Sequence, residues 1–167
     1  PATEPYSGLG YVFQGGGGET TTTGLTYSPL LTTGNDAPVD WVVIELRSTI
    51  APYAVVYSRS ALLQRDGDVV DTDGDPLWLD AAPGNYRVAL RHRNHLGVMT
   101  NSNIALSATS TAVDFTLTGT VTYGIQARKA VGAKELLWAG DGTGNGALRY
   151  TGAGNDRDPI LIAVGST

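Results

Sequence analysis

The stretch that decides the fold is DWVVIELRS, residues 40–48. Its apolar residues alternate, so that Val42, Ile44 and Leu46 share one face while Glu45 and Arg47 point the other way. A period of two is typical of a β-strand with one buried face. We therefore predict a half-buried strand here and expect further strands on either side of it in the chain.

Other strand patterns follow along the chain. We predict strands in YAVVYSRSALLQ (53–64), LWLD (77–80), APGNYRVALRHRN (82–94), NIALS (103–107) and AVDFTLTG (112–119). Turn residues separate these short strands, and no convincing amphipathic helix precedes residue 125. This pattern predicts an all-β fold, an antiparallel β-sandwich.

The strand that follows Pro83 carries the strongest of these patterns. A Pro-Gly turn leads into it, and alternation predicts three core-facing residues and three arginines that face water: Tyr86, Val88 and Leu90, then Arg87, Arg91 and Arg93. The element APGNYRVALRH (82–92) resembles the Pro-Gly-x-Tyr strand of prealbumin-like and carboxypeptidase-regulatory-like sandwiches. We accordingly expect a sandwich of the immunoglobulin-like or prealbumin-like type.

Residues 1–38 are rich in Gly and Thr but also carry many large apolar side chains. A flexible linker would not carry so many of these. We therefore predict short strands in YVFQ (11–14) and GLTYSPLL (24–31) around a glycine bulge or loop. The chain then divides into this N-terminal segment, a sandwich core over 39–122, and a C-terminal cap over 123–167 that packs on the sandwich.

The composition excludes several classes of protein. A net charge of −5 with only two lysines argues against a phosphate-binding surface, which excludes nucleic acids as partners. The absence of cysteine excludes disulfides, thiolate zinc sites and cysteine nucleophiles. No apolar stretch approaches the length of about 18 residues that a membrane span needs. The chain starts at Pro1 without a Met, so we expect a trimmed precursor or a fragment of a longer protein.

The motifs of common enzyme classes are not found in the sequence. GGGGE (15–19) follows no buried strand and opens no helix, so it is not a phosphate loop, and no Gly-x-Ser-x-Gly elbow occurs. The only histidines are His92 and His95. They suggest a metal or acid-base pair, but hydrogen-bonded structural histidines are the interpretation we favour. We expect a protein that is not an enzyme.

Two acidic stretches resemble parts of calcium loops. In the first, Asp71, Asp73 and Asp75 stand at the i, i+2, i+4 spacing that points alternate oxygens inward. Pro76 occupies the position where such a loop needs glycine, and no bidentate Glu or Asp follows at the expected distance. We favour an acidic hairpin turn there, with a metal site as the alternative.

The second stretch, DGTGNGALRYTGAGNDRDPIL (141–161), matches the first half of a dockerin-like loop more fully. Positions 1, 3, 5 and 6 hold Asp141, Thr143, Asn145 and Gly146. Position 12 is Gly152, which has no ligand atom in its side chain, so Asp156 or Asp158 is expected to supply the closing carboxylate. The other interpretation of this stretch is an Asn/Gly hairpin followed by a capped helix.

A short helix is predicted at the end of this stretch. Asp158 before Pro159 is typical of an N-cap with proline at the first helical position. The apolar face of the helix would carry Ile160, Leu161 and Val164.

A series of longer strings identifies a resemblance to a known family. They are TEPYSGLGYVFQGGGGET (3–20), DWVVIELR (40–47), ALLQRDGDVVD (61–71), RHRNHLGVMT (91–100), VDFT (113–116), TYGIQARK (122–129), LWAGD (137–141) and YTGAGNDRDPIL (150–161). In this order they resemble the C-terminal module of large secreted surface proteins of the Bacteroidota, described as haemagglutinin-like or adhesin-like. The resemblance runs from about Thr3 to Gly165.

The resemblance implies work outside the cell or at the cell surface. It also implies a modified dockerin unit that binds calcium through Asp141, Asn145, Asn155, Asp156 and Asp158. In that family the unit usually occurs twice, whereas this chain has one, with Gly144 and Asn145 in place of a more acidic version. We expect that the second unit was removed together with a sorting tail of the kind used by type IX secretion.

These observations lead to two main functional hypotheses, and a hydrolase accessory or inhibitory domain is a third. The first is an extracellular structural or adhesive protein of the bacterial cell surface, the repeating subunit of a filament in which copies exchange strands. The second is a carbohydrate-binding, lectin-like module in which Trp41, Trp78 or Trp138 stacks on the rings of host or environmental glycans. Calcium is the expected cofactor in either case.

Overall fold

The computed structural model describes residues 2–21 and 31–165. The fold is mostly β, with an antiparallel six-stranded sheet, a small two-stranded sheet and a short C-terminal helix. The strands are β1 (Pro38–Arg47), β2 (Val55–Gln64), β3 (Val69–Val70), β4 (Gly84–His92), β5 (His95–Met99), β6 (Ile104–Leu106), β7 (Lys129–Val131) and β8 (Lys134–Leu136), and the helix is α1 (Arg157–Val164). The prediction of a fold dominated by antiparallel strands is confirmed. Among the described residues, no helix has the length and apolarity to cross a membrane.

Strand β1 lies at the centre of the six-stranded sheet. The strand order is β3-β2-β1-β4-β5, and β6 also pairs with β4. Strands β5 and β6 pair with different parts of β4: Met99 of β5 pairs with Ala89, and Leu106 of β6 pairs with Gly84. The pairing register of β6 on β4 therefore differs by two residues from that of β5. The strands predicted at 40–48, 53–64, 82–94 and 103–107 are therefore confirmed, with small differences at their ends.

The prediction that β1 is only half buried is wrong. Val42, Ile44 and Leu46 form the core on one face, as the alternation predicts. The opposite face is also buried, because residues 2–21 lie across it and cover it with the side chains of Tyr6, Tyr11 and Phe13. The central strand is thus buried on both faces, and Glu45 has no access to water.

Two of the predicted strands are wrong for a common reason. LWLD (77–80) has no strand pairing, although Leu77 and Leu79 pack on the core. AVDFTLTG (112–119) forms turns after Val113, which packs on the same core. In both stretches the backbone is irregular, yet apolar side chains pack on a face of the sheet. Periodicity alone therefore could not distinguish these stretches from strands.

Residues 2–21 cover the sheet and form no regular strand. YVFQ (11–14), predicted as a strand, instead runs beside β2, where the Ser58 N–H donates to the Gln14 carbonyl at 2.8 Å. The Gly16 N–H donates to the Ser58 carbonyl at 3.2 Å. The second predicted strand, GLTYSPLL (24–31), lies outside the described residues except for Leu31.

The C-terminal region attaches to the hairpin of β4 and β5. The Leu96 N–H donates to the Trp138 carbonyl at 2.8 Å, and the Gly140 N–H donates to the Asn94 carbonyl at 3.0 Å. Helix α1 begins at Arg157, so the predicted N-cap at Asp158 is wrong and Asp156 occupies that position.

Candidate functional site

The predicted calcium loop folds as a set of tight turns around a buried carboxylate. The carboxylate of Asp141 accepts the backbone N–H groups of Asn145 at 3.1 Å and Gly146 at 3.0 Å. Short polar side chains favour such turns because they replace backbone partners. Gly144 and Gly146 have φ of 66° and 77°, the left-handed conformation that allows the chain to close around the carboxylate.

A second buried carboxylate reaches the same place from the other end of the loop. Asp156 Oδ1 accepts the Thr143 hydroxyl at 3.0 Å, and this hydroxyl also lies 3.5 Å from Asp141 Oδ1. Asp156 Oδ2 accepts the Arg149 N–H at 2.7 Å. Hydrogen bonds from the Arg149 amide and from Thr143 lower the pKa of Asp156. Thr143 therefore links the two carboxylates across the loop.

The remaining predicted ligands are bonded elsewhere. Asn145 Oδ1 accepts the Ala147 N–H at 2.9 Å, and its Nδ2 donates to the Gly154 carbonyl at 3.0 Å. Asp158 accepts the Asn155 side-chain amide at 2.8 Å and pairs with Arg157. Of the predicted set, the structure brings together Asp141, Thr143 and Asp156.

The chemistry of this cluster fits a calcium ion in part. Calcium takes six to eight oxygen ligands, and carboxylate and hydroxyl oxygens are of the type it prefers. Within residues 2–21 and 31–165, no three or more His, Cys, Asp or Glu side chains lie together in an arrangement that could hold a metal ion. Calcium binding at this loop remains a prediction, with Asp141, Thr143 and Asp156 as the residues that would hold the ion.

The other acidic stretch is organised by an ion pair. Arg59 donates to both oxygens of Asp71, at 2.7 and 2.9 Å, and also to the Trp78 carbonyl at 2.6 Å. Asp73 accepts the Asp75 N–H at 3.0 Å. Burial raises the pKa of Asp71, but the Thr72 amide and the Arg59 guanidinium more than offset this and lower it. This geometry favours the acidic turn over a metal site.

His92 and His95 close the turn between β4 and β5 and face each other across it. Their Nδ1 atoms lie 2.8 Å apart, and the rings meet edge to face. His92 Nε2 lies 3.0 Å from Asp40 Oδ2. The hydrogen-bonded arrangement that we favoured for this pair is confirmed.

Asp40 organises the histidine pair. Arg93 donates to both of its oxygens, one at 2.7 Å, and the Trp41 N–H donates to Oδ1 at 2.7 Å. Burial raises the pKa of Asp40, but the hydrogen bonds from Arg93, Trp41 and His92 more than offset this and lower it. An ionised carboxylate only accepts, so His92 Nε2 carries a proton and a neutral His92 leaves its Nδ1 lone pair to accept the His95 Nδ1–H.

The prediction that the β4 arginines face water is wrong. Arg91 Nη1 lies 3.5 Å from Glu45 Oε1, and Arg47 Nε donates to Glu45 Oε2 at 2.6 Å. The Tyr11 hydroxyl donates to Glu45 Oε1 at 2.6 Å, and burial followed by the Glu45 contact raises the pKa of Tyr11 to about 12. The arginines on neighbouring strands were the one sequence signal of this buried charge network.

Arg87 is likewise bound within the protein. Its guanidinium lies 4.1 Å from the ring centroid of Tyr53, near Tyr123, and it donates to the Thr100 carbonyl at 3.2 Å. The three arginines of β4 and the turn that follows therefore bind groups of this chain.

The three tryptophans have different environments. Trp41 is buried in the core, so its predicted role in sugar stacking is wrong. The Trp138 indole donates to the Gln126 carbonyl at 2.8 Å, and Lys129 lies against its ring. Trp78 is 61% exposed. Of the three, Trp78 is the one available as a flat aromatic surface.

Comparison of the chain with family models, with curated proteins and with solved structures found no match.

Proposed function

We propose that this chain is a non-enzymatic structural or adhesive module that acts outside the cell or on the bacterial cell surface, as the repeating subunit of a filament. The observation that carries the proposal is the apolar surface of α1. The helix exposes Ile160, Leu161, Ile162 and Val164 to water. Exposed apolar patches of this kind mark interaction surfaces in soluble proteins.

Burial of these side chains would supply much of the free energy of assembly. Each large aliphatic side chain contributes about 1.5–3 kcal/mol when it moves from water into an apolar contact. The rest of the C-terminal region adds further exposed residues, among them Ile125 and Tyr150. We propose that a second copy of this chain covers the apolar surface of α1, because each subunit of a repeating assembly covers the same surface of its neighbour.

The N-terminal segment supports a specific way for copies to join. Its contacts with the sheet include the Tyr6 hydroxyl on the Trp41 carbonyl at 2.7 Å and the pairing of Gly15 with Ser58. Residues 22–37 join this segment to β1. A neighbouring copy would make the same contacts if the segments were exchanged, which is domain swapping. We include strand exchange of this type in the proposal.

The resemblance to secreted Bacteroidota modules supports the location, the type IX secretion route and the calcium cofactor of the proposal. The proposal also includes a sandwich of the immunoglobulin-like or prealbumin-like type. A second layer would be completed where the N-terminal segment of one copy packs on the sheet of the next.

The test of assembly uses light scattering and electron microscopy of the full chain over a range of concentrations. Ile162→Asp places a charge on α1, where Ile162 is 80% exposed, and Ile50→Asp is the matched control, since Ile50 is 75% exposed in the turn between β1 and β2. We expect filaments or large oligomers for the native chain and for Ile50→Asp, and monomers for Ile162→Asp. A native chain that stays monomeric at every concentration contradicts the proposal.

A carbohydrate-binding module is the second candidate, and the exposure of Trp78 favours it. The backbone around the indole is fixed, because the Trp78 carbonyl accepts from Arg59, which is paired with Asp71. A fixed, exposed indole is suited to stacking on a sugar ring. A glycan array should give signals that Trp78→Ala removes and that Tyr150→Ala, an exposed aromatic control, leaves unchanged. An array without signals for the native chain rejects this candidate.

A further inference from the structure

The geometry of the β4–β5 turn points to a binding site outside the proposed assembly surfaces. We infer that His92 and His95 chelate a divalent transition-metal ion, of the class of Zn²⁺ and Ni²⁺, through their two Nδ1 atoms. The inference does not depend on the proposed function.

The spacing of the two nitrogen atoms fits a chelate. The Nδ1 atoms are 2.8 Å apart. An ion about 2.0–2.1 Å from each nitrogen places adjacent ligands about 2.9 Å apart in octahedral geometry and about 3.4 Å apart in tetrahedral geometry, so the two nitrogens need to separate by up to about 0.6 Å. The two residues pair directly across the turn, so the backbone places both side chains close to each other.

The second contact of His92 prepares its ring for a metal. His92 donates its Nε2–H to Asp40, which leaves the Nδ1 lone pair directed at His95. A metal-binding histidine almost always donates its other N–H in this way, commonly to a carboxylate. Arg93 forms an ion pair with Asp40, so the two opposite charges nearly cancel and have little net electrostatic effect on the ion.

Two hydrogen bonds compete with the ion for His92 Nδ1. The Asn94 N–H donates to it at 3.2 Å, and His95 shares its Nδ1 proton with it. Asn94 is exposed, so water can replace its contact. His95 is partly exposed and can carry its proton on Nε2 instead, so a neutral pair binds the ion without releasing a proton.

The ligand type separates this site from the predicted calcium loop. Imidazole nitrogen suits zinc, copper and nickel, whereas carboxylate and carbonyl oxygens suit calcium. The remaining coordination positions of the ion would be filled by water on the exposed side of His95.

The experiment titrates the full chain with zinc chloride and with nickel chloride, by calorimetry and by nitrogen-15 spectra of the imidazole rings. We expect one ion per chain and a coordination shift at Nδ1 of both histidines. His95→Gln and His92→Gln should each reduce the affinity at least tenfold, and Gln at position 92 can still donate to Asp40. Asp68→Asn, at an exposed residue between β2 and β3, is the control and should leave zinc affinity unchanged.

Three results would overturn the inference. They are zinc affinity that survives His92→Gln, a coordination shift confined to Nε2 of His95, and no binding of either ion to the native chain. Circular dichroism of each variant reports whether it folds. Should His92→Gln unfold, the Nδ1 shifts of the native chain alone decide the question.

Discussion

The six-stranded sheet and the C-terminal region are built from different interactions. The sheet is held by paired strands and by apolar side chains on both faces of β1, and its buried charge, Glu45, is fully partnered. Residues 123–165 are held by short turns, by positive-φ glycines and by the carboxylates of Asp141 and Asp156, while α1 exposes its apolar residues. The apolar residues of the central strand are thus buried within one chain, whereas those of α1 are exposed to water.

The largest expected difference between the two regions is the cost of losing one leucine. Leu46→Ala removes a fully buried side chain from the sheet and should lower the free energy of unfolding by about 2–5 kcal/mol. Leu161→Ala removes a 42% exposed side chain from α1 and should cost less than about 1 kcal/mol in dilute solution. Urea denaturation of both variants measures this. Equal costs would contradict the contrast between the regions.

Loss of the buried carboxylate of the sheet should cost more than loss of the partly exposed carboxylate of Glu135 in the C-terminal region. Glu45→Ala leaves Arg47 and Arg91 without their buried carboxylate and should cost about 3 kcal/mol. Glu135→Ala, on β8, is the matched control and should change stability by less than about 0.5 kcal/mol. If Glu45→Ala is as mild as its control in chemical denaturation, the charge network does not stabilise the sheet.

Calcium should act on the C-terminal region alone. At an ion concentration about tenfold above the dissociation constant, binding should add about 1.4 kcal/mol of stability. Differential scanning calorimetry with calcium and with a chelator measures the change, which Asp141→Asn should remove and Asp73→Asn should retain. If calcium does not change the melting temperature, the turns around Asp141 have a purely structural role.

The smallest expected effect is a dependence of stability on mild acid at the β4–β5 turn. Burial lowers the pKa of His95 below its ordinary value of 6.5. The unfolded chain therefore takes up a proton at this residue before the folded chain does, so its contribution to stability is full above pH 6.5 and falls as the pH drops below it. Thermal melts between pH 7 and pH 5 should show a shallower slope for His95→Gln than for the native chain. A slope unchanged by the substitution would place this acid sensitivity elsewhere in the chain.

Strands that follow from local periodicity were predicted from the sequence. Burial that depends on another segment lying over the sheet was missed. Alternation at Val42, Ile44 and Leu46 identified the central strand, because a sheet face imposes a period of two. The burial of Glu45 was missed, since it follows from a segment more than thirty residues away in sequence, at Tyr11. LWLD was wrongly predicted as a strand because irregular chain can also direct Leu77 and Leu79 to a core.

The candidate site was predictable to a similar extent. The spacing of Asp141, Thr143 and Asn145 indicated a calcium loop, which stays a prediction, and the structure has tight turns around the Asp141 carboxylate there. The choice between Asp156 and Asp158 depended on the three-dimensional path of the loop, in which Thr143 meets Asp156. The link from Asp40 to His92 crosses more than fifty residues and has no local signal.

Amide hydrogen exchange on dilute and concentrated samples of the full chain tests the central contrast most directly. We expect β1 amides to be protected at every concentration, while α1 amides exchange quickly in the dilute chain and become protected as copies assemble. Protection of α1 equal to that of β1 in a dilute monomer, or exchange at α1 that never slows with concentration, would contradict it.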